Sequence, residues 1–412
     1  MDFLKKFNTE TQYDADVENL EYATVSYIED IEEVRYMKKY IPNYSEQYLT
    51  FEALEDGTFT LSISADVDST CMTSVSYSTD DGETWTTTTV DNTAQTITTP
   101  TITQGNKVLW KGVGKQMSKN STNSVSNFSA TCNFNANGNI MSLLYGEDFV
   151  DKTTFPTNSS YTFCYLFSSD KLINANNLIL PATTMTSDCY DSMFRGCTAL
   201  TTAPELPAIT LATACYYNMF QGCTSLTTAP ELPATTLATA CYNSMFNGCT
   251  SLTTAPELPA TTLAEYCCGD MFNGCTSLTT APELPATTLA YSCYSNMFYG
   301  CTSLTTAPEL PATTLTNNCY ISMFNGCTSL TTAPELPATT LTSGCYNEMF
   351  RGCSRLNYIK AMFTTTPSST YTAGWVDGVA ATGTFVKNSA ATWDETGASG
   401  IPSGWTVETA SE

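Results

Sequence analysis

Residues 215–240 read CYYNMFQGCTSLTTAPELPATTLATA, and the pattern CYxxMFxGCTSLTTAPELPATTLxxx recurs along the chain. Cys197, Cys223, Cys249, Cys275, Cys301, Cys327 and Cys353 each fall 26 residues apart, as do Cys189, Cys215, Cys241, Cys267, Cys293, Cys319 and Cys345. A fixed period of this length marks a repeat architecture, in which each unit buries its apolar face against its neighbours. At about 100° per residue, Cys215, Tyr216, Met219, Phe220 and Cys223 share one face, which predicts a short amphipathic helix. The following part, Leu226 to Pro233, is Thr-rich and bounded by prolines, and predicts a short strand and a turn. Phe163 to Leu172 with Leu180 to Thr184 forms a degenerate first unit, as a terminal cap would.

Outside the repeats the composition changes. Residues 46–138 are rich in Thr and Ser with alternating apolar positions, and predict strands over Tyr48–Leu54, Thr58–Ala65, Met72–Ser78, Thr84–Val90, Lys107–Lys111 and Phe128–Phe134. Short strands with Gly and Asp turns suggest an immunoglobulin-like β-sandwich. Upstream, Thr24–Ile28 and Val34–Met37 flank an acidic turn and predict a hairpin arm, with Val25, Tyr27, Val34 and Tyr36 as its docking residues. The expected organisation is therefore an N-terminal docking arm (1–45), a sandwich (46–138), a connector and N-terminal cap (139–188), repeats (189–353) and a C-terminal cap (354–412). The fold class expected is mainly β plus an α/β solenoid.

Charge and missing residue types narrow the function. The chain carries 16 basic and 40 acidic residues, and 196–350 holds no Lys or Arg. Nucleic-acid binding is disfavoured, because phosphate neutralisation needs clustered cations. There is no histidine, which removes His-based nucleophile activation and His-ligated metal sites. No apolar run approaches the ~20 residues of a membrane span, so no membrane insertion is expected. The N-terminal stretch lacks the apolar segment of a secretory signal. Cys215 and Cys223 would lie about 12 Å apart along a helix, whereas a disulfide needs Cα atoms within about 4.4–6.8 Å. Free, packed thiols are expected.

The repeat MFxGCTSLTTAPELP resembles the BspA-like leucine-rich repeat of bacterial surface proteins, over roughly residues 160–360. The tail, with Trp375, Trp393 and Trp405, resembles the segment that closes such arrays. Ser78-Thr-Asp80-Asp-Gly82-Glu-Thr-Trp85 resembles the Asp-box of sialidases, a hairpin fold element and not a catalytic site. The layout of arm, sandwich, repeats and aromatic tail resembles virion fibre and head-decoration proteins of crAss-like Bacteroidales phages. That resemblance implies a non-enzymatic structural and adhesion protein on a virion, assembled in the host cytoplasm. Its arm would dock to other virion proteins and its repeats would touch host-surface glycan or protein. A homo-oligomer, such as a trimer, is implied. A bacterial or protist cell-surface adhesin is the alternative; an Asp-box glycan-active enzyme is the third.

Two sets of residues are candidates for binding. Comparing units within the chain, TSLTTAPELPATTL hardly changes, while five columns vary and fall on the predicted helix face opposite the core. They hold Tyr217, Asn243, Glu265, Tyr266, Asp270, Tyr291, Tyr299, Asn317, Asn318 and Asn325. A Tyr- and Asn-rich variable surface over a constant core has the chemistry of a paratope, and drift of an unconstrained surface gives the same pattern. The second set is the constant column Glu205, Glu231, Glu257, Glu283, Glu309 and Glu335. Stacked strands would space these carboxylates about 5 Å apart. They read as a solvated stripe or as weak sites for divalent cations. No other cofactor is expected.

Overall fold

The computed structural model describes residues 3–6, 21–26, 35–39, 43–121 and 124–410, with the first three segments defined at the backbone. The chain divides into two compact units, Met1–Tyr44 and Ser45–Glu412. In the first, β1 (Phe3–Lys6), β2 (Glu21–Ser26) and β3 (Arg35–Lys39) form an antiparallel sheet of order β1-β3-β2. Val25 is opposite Tyr36 in the β2–β3 register. Tyr27 and Val34 lie outside the described residues.

The second unit begins with eight strands: β4 (Leu49–Ala53), β5 (Phe59–Ile63), β6 (Met72–Ser78), β7 (Thr86–Thr89), β8 (Gln95–Thr98), β9 (Lys107–Gly114), β10 (Asn127–Ala130) and β11 (Phe134–Asn139). They are followed by α1 (Ser142–Tyr145) and β12 (Leu172–Ile179). One sheet has the order β10-β5-β8 and the other β12-β11-β4-β9-β6-β7. The strand expected over Phe128–Phe134 is two strands, one in each sheet, joined through Thr131 to Asn133. Rings from both sheets meet in the core: Phe51 lies 4.8 Å from Phe128 and 5.4 Å from Phe59, and Trp110 lies 4.9 Å from Phe128.

The expected α/β solenoid is not what forms. The molecule is mostly β, and the only α-helix among the described residues, α1, lies outside the repeats. The segment CYxxMFxGC is a run of tight turns. Ala214, Asn218 and Gly222 have φ of 51°, 53° and 74°, and the equivalent residues of the other complete units are also left-handed. A right-handed helix cannot contain a left-handed residue every fourth position. Backbone hydrogen bonds follow the same rhythm. The amides of Tyr217, Met219, Gln221 and Cys223 bond carbonyls three residues back, within the unit. Those of Tyr216, Asn218, Phe220 and Gly222 bond Cys241, Asn243, Met245 and Asn247 of the next unit at 2.8–3.1 Å. Half the donors are satisfied locally and half between units, with none spent on the i→i−4 bonds of a helix.

The expected strand shrinks as well. Its trace is a ladder of single-residue parallel bridges, Thr202 to Thr228 to Thr254 to Thr280 to Thr306. Pro230 and Pro233 lack the N–H that a longer ladder requires. The ladder starts from β12, through Asn174 and Thr202. At the far end Thr332 bridges to Tyr358, in the parallel sheet β13 (Tyr358–Ala361), β14 (Thr384–Lys387), β15 (Thr406–Thr409).

What holds consecutive units together is a column of rings. Phe194, Phe220, Phe246, Phe272, Phe298, Phe324 and Phe350 stack at centroid spacings of 5.3–5.8 Å, nearly parallel. Such offset pairs add about 0.5–1.5 kcal/mol each beyond their burial. A tyrosine column runs beside it at 5.8–6.0 Å from Tyr190 to Tyr242 and resumes at Tyr294. Trp375 closes both, 6.3 Å from Tyr346 and 6.2 Å from Phe350, with its indole N–H donated to the Gly400 carbonyl at 2.8 Å. A single hydrophobic core extends from Leu49 to Trp405.

All 18 cysteines are free and buried. The thiols of Cys223, Cys249, Cys275, Cys301 and Cys327 donate to the carbonyls of Phe194, Phe220, Phe246, Phe272 and Phe298 at 3.1 Å. Burial pushes the Cys249 and Cys301 thiols up to about 12, so they pack as neutral side chains.

Candidate binding surface

The variable columns are built by the turns. Five of the ten candidate residues are exposed: Glu265, Tyr266, Tyr291, Tyr299 and Asn317. Tyr217, Asn243, Asp270 and Asn318 are half-buried, and Asn325 is buried. The structure therefore sorts a set that a helical wheel treats as one face. Two of the five columns, those of Tyr266 and of Asp270, are the left-handed positions of the turns, with φ of 55° and 54°. Asn, Asp, Ser and Gly, which tolerate this conformation, fill much of these two columns.

Three of the candidates form a contact chain across adjacent units. The rings of Tyr266 and Tyr291 pack edge to face, 5.2 Å apart at 74°. The Asn318 amide donates to the Tyr291 hydroxyl at 3.1 Å. Tyr266 (40%), Tyr291 (39%) and Tyr299 (42%) are three of the seven large hydrophobic residues exposed among the described residues. The other four, Val113, Val150, Ile209 and Val407, lie far from them in sequence. The aromatic surface thus belongs to the units of Cys267 and Cys293. Their equivalents in other units are Ala, Asp, Glu, Asn, Gly, Thr, Ser, Gln or Arg.

Nearby in sequence, a carboxylate is held by amides. Asp270 Oδ1 accepts from Asn273 Nδ2 at 2.9 Å, and Oδ2 from Asn296 Nδ2 at 3.4 Å. Neither asparagine stands out in the sequence, since both sit among polar residues in variable columns. Asn243 bonds the Tyr266 carbonyl at 3.2 Å, which ties its unit to the next. Asn325 reaches Glu348, which also pairs with Arg351.

The constant Glu column lies elsewhere on the unit. All six carboxylates are exposed. Glu309 and Glu335, with Pro308 and Pro334, line a groove of about 540 Å³. Glu205 and Glu231, with Pro204 and Pro230, line another of about 410 Å³. Lys360 pairs with Glu335 at 3.0 Å, a contact that nothing in the repeat pattern announces. Among the described residues, no three Cys, Asp or Glu side chains converge on a metal-sized site.

The Asp-box segment is closed on itself. Ser78 and Thr84 bond Asp80 and hold its carboxyl down at about 2, and Trp85 donates to the Gly82 carbonyl at 3.1 Å. The Lys111 ammonium sits 3.7 Å over the Trp85 ring and pairs with Glu147.

No protein-family model, curated protein or solved structure matches this chain. The arrangement of its own residues carries the functional reading.

Proposed function

We propose that the protein is a non-enzymatic structural and adhesion protein of a phage virion. In this reading, unit Met1–Tyr44 joins it to other virion proteins, and the stacked repeats present a recognition surface to the host. The observation that carries it is the exposure of Tyr266, Tyr291 and Tyr299, the first two with their rings in contact, in columns whose other members are small or polar. Exposed aromatics are the usual energetic anchors of recognition surfaces, and rigid turns would fix them before a ligand arrives. The absence of histidine and the raised thiol pKa values are in keeping with a protein that binds without catalysis.

Two measurements test this. Antibody to the full chain, detected by gold labelling, should decorate purified particles; unlabelled particles would remove the virion assignment. Attachment of the full chain to host cells should be lost in Tyr291→Ala/Tyr299→Ala and kept in Glu257→Ala/Glu283→Ala. The reverse result would move recognition to the Glu–Pro grooves.

A further inference from the structure

We infer that the Tyr266–Tyr291 surface takes a neutral, hydroxyl-rich glycan, an inference that rests on the adhesion reading above and names its ligand class. Three observations converge on that chemistry.

The first is the aromatic pair. Rings fixed 5.2 Å apart at 74° give two apolar walls at an angle, suited to the C–H faces of a sugar ring. The Tyr291 oxygen accepts from the Asn318 amide at 3.1 Å. With the amide on its oxygen, the Tyr291 hydroxyl keeps its own proton to donate.

The second is a polar group four residues from Tyr266 in the sequence. Asp270 is an oriented acceptor, held by Asn273 and Asn296. Carboxylate and amide groups held rigidly in this way address neighbouring hydroxyls, which offer a donor and an acceptor on each oxygen.

The third is charge. No Lys or Arg occurs from 196 to 350, and the chain carries a net −24. A sulfated, phosphorylated or uronate-bearing ligand would meet only repulsion here. A protein partner fits less well. The other large exposed hydrophobics are scattered, so the surface lacks the broad apolar centre that a protein interface of ordinary size requires.

The test uses the full chain on an array of neutral hexose and N-acetylhexosamine oligosaccharides beside uronate- and sulfate-bearing ones. Binding should be confined to neutral glycans and should change little when salt is raised, since no ion pair forms. Tyr266→Ala/Tyr291→Ala should weaken it by about 30-fold or more. Tyr291→Phe keeps the ring and loses only the hydroxyl, so it should fall between, which guards against misfolding of the double variant. Binding only to acidic glycans, or neutral binding retained in the double variant, overturns the inference. Should no glycan bind while the double variant still loses attachment to cells, the ligand class is wrong and the recognition surface stands. Should the double variant attach normally, the surface reading itself fails.

Discussion

The ring of Phe167 stacks on that of Phe194, with centroids 5.2 Å apart and planes 8° from parallel. Phe167 also stacks on Phe128 of β10, so it joins the column of repeat rings to the front sheets. The expected boundary between a sandwich and a separate array is thereby crossed by a continuous core. Phe167→Ala should cost about 3–5 kcal/mol, as for other buried Phe truncations. Urea unfolding followed by Trp fluorescence and by circular dichroism would check it. The wild-type transitions should coincide; separate transitions would mean that the two regions fold independently.

Cys268 occupies the position that Tyr holds in neighbouring units, and the tyrosine column breaks there. A cavity of about 10 Å³ remains, lined by Tyr242, Leu258, Leu263 and Tyr294 among others. It is barely large enough for one water, and its apolar walls give a water little to bond. Cys268→Tyr puts a ring into a space that holds about one water, so it should overpack the site and cost about 1–3 kcal/mol. A higher melting temperature for this variant would show that the neighbouring units move aside and restore the column.

Much of this was legible in the sequence, and the part that was not has a physical cause. The 26-residue register places Cys215, Tyr216, Met219, Phe220 and Cys223 in the core, and all five are buried. Their spacing did not reveal the backbone. A four-residue turn repeat and a helix of 3.6 residues per turn drift apart by only about one residue over this span. The overlooked signal was Asn218 and Gly222, four apart, because both residue types accept a left-handed backbone. Tyr266 and Tyr291 were recognisable as variable and aromatic. Their mutual contact was not, because it depends on how one unit's turn is placed over the next.

Asp191 sets a pH dependence in the first complete unit. Only 4% exposed, it accepts from the Ser192 hydroxyl at 2.7 Å. Burial pushes its carboxyl up to about 6, and the charge of Asp188 adds to the rise. An acid whose folded value lies above its unfolded value of about 4 favours folding below that value. This contribution is lost as pH rises through 6. Wild-type stability should therefore fall between pH 4 and 6, and Asp191→Asn should flatten that slope and raise stability at pH 7.5. Asp188, also raised by burial, leaves part of the slope in place. Melting temperatures at pH 4, 5, 6 and 7.5 would decide; an unchanged slope in the variant would assign it to other groups.

Tyr266 combines exposure with an unfavourable backbone. Its φ of 55° is the left-handed conformation that Asn318 and Gly344 adopt at the same point of later units. For a bulky residue this costs on the order of 1–2 kcal/mol. Little burial offsets that cost, since the ring is 40% exposed and its main contact is another exposed ring. A residue that strains the chain without filling the core is expected where it serves recognition. Tyr266→Gly should relieve the strain and stabilise the protein by up to about 1 kcal/mol, even after the flexibility glycine adds to the unfolded chain. The same change should weaken ligand attachment. Tyr266→Phe should leave stability near wild type, because it keeps both the ring and the strain. Thermal melts and attachment assays on the two variants separate the effects. A destabilised Tyr266→Gly variant would mean that the ring contributes packing that outweighs its backbone cost, and Tyr266 would then be a structural residue of the turn.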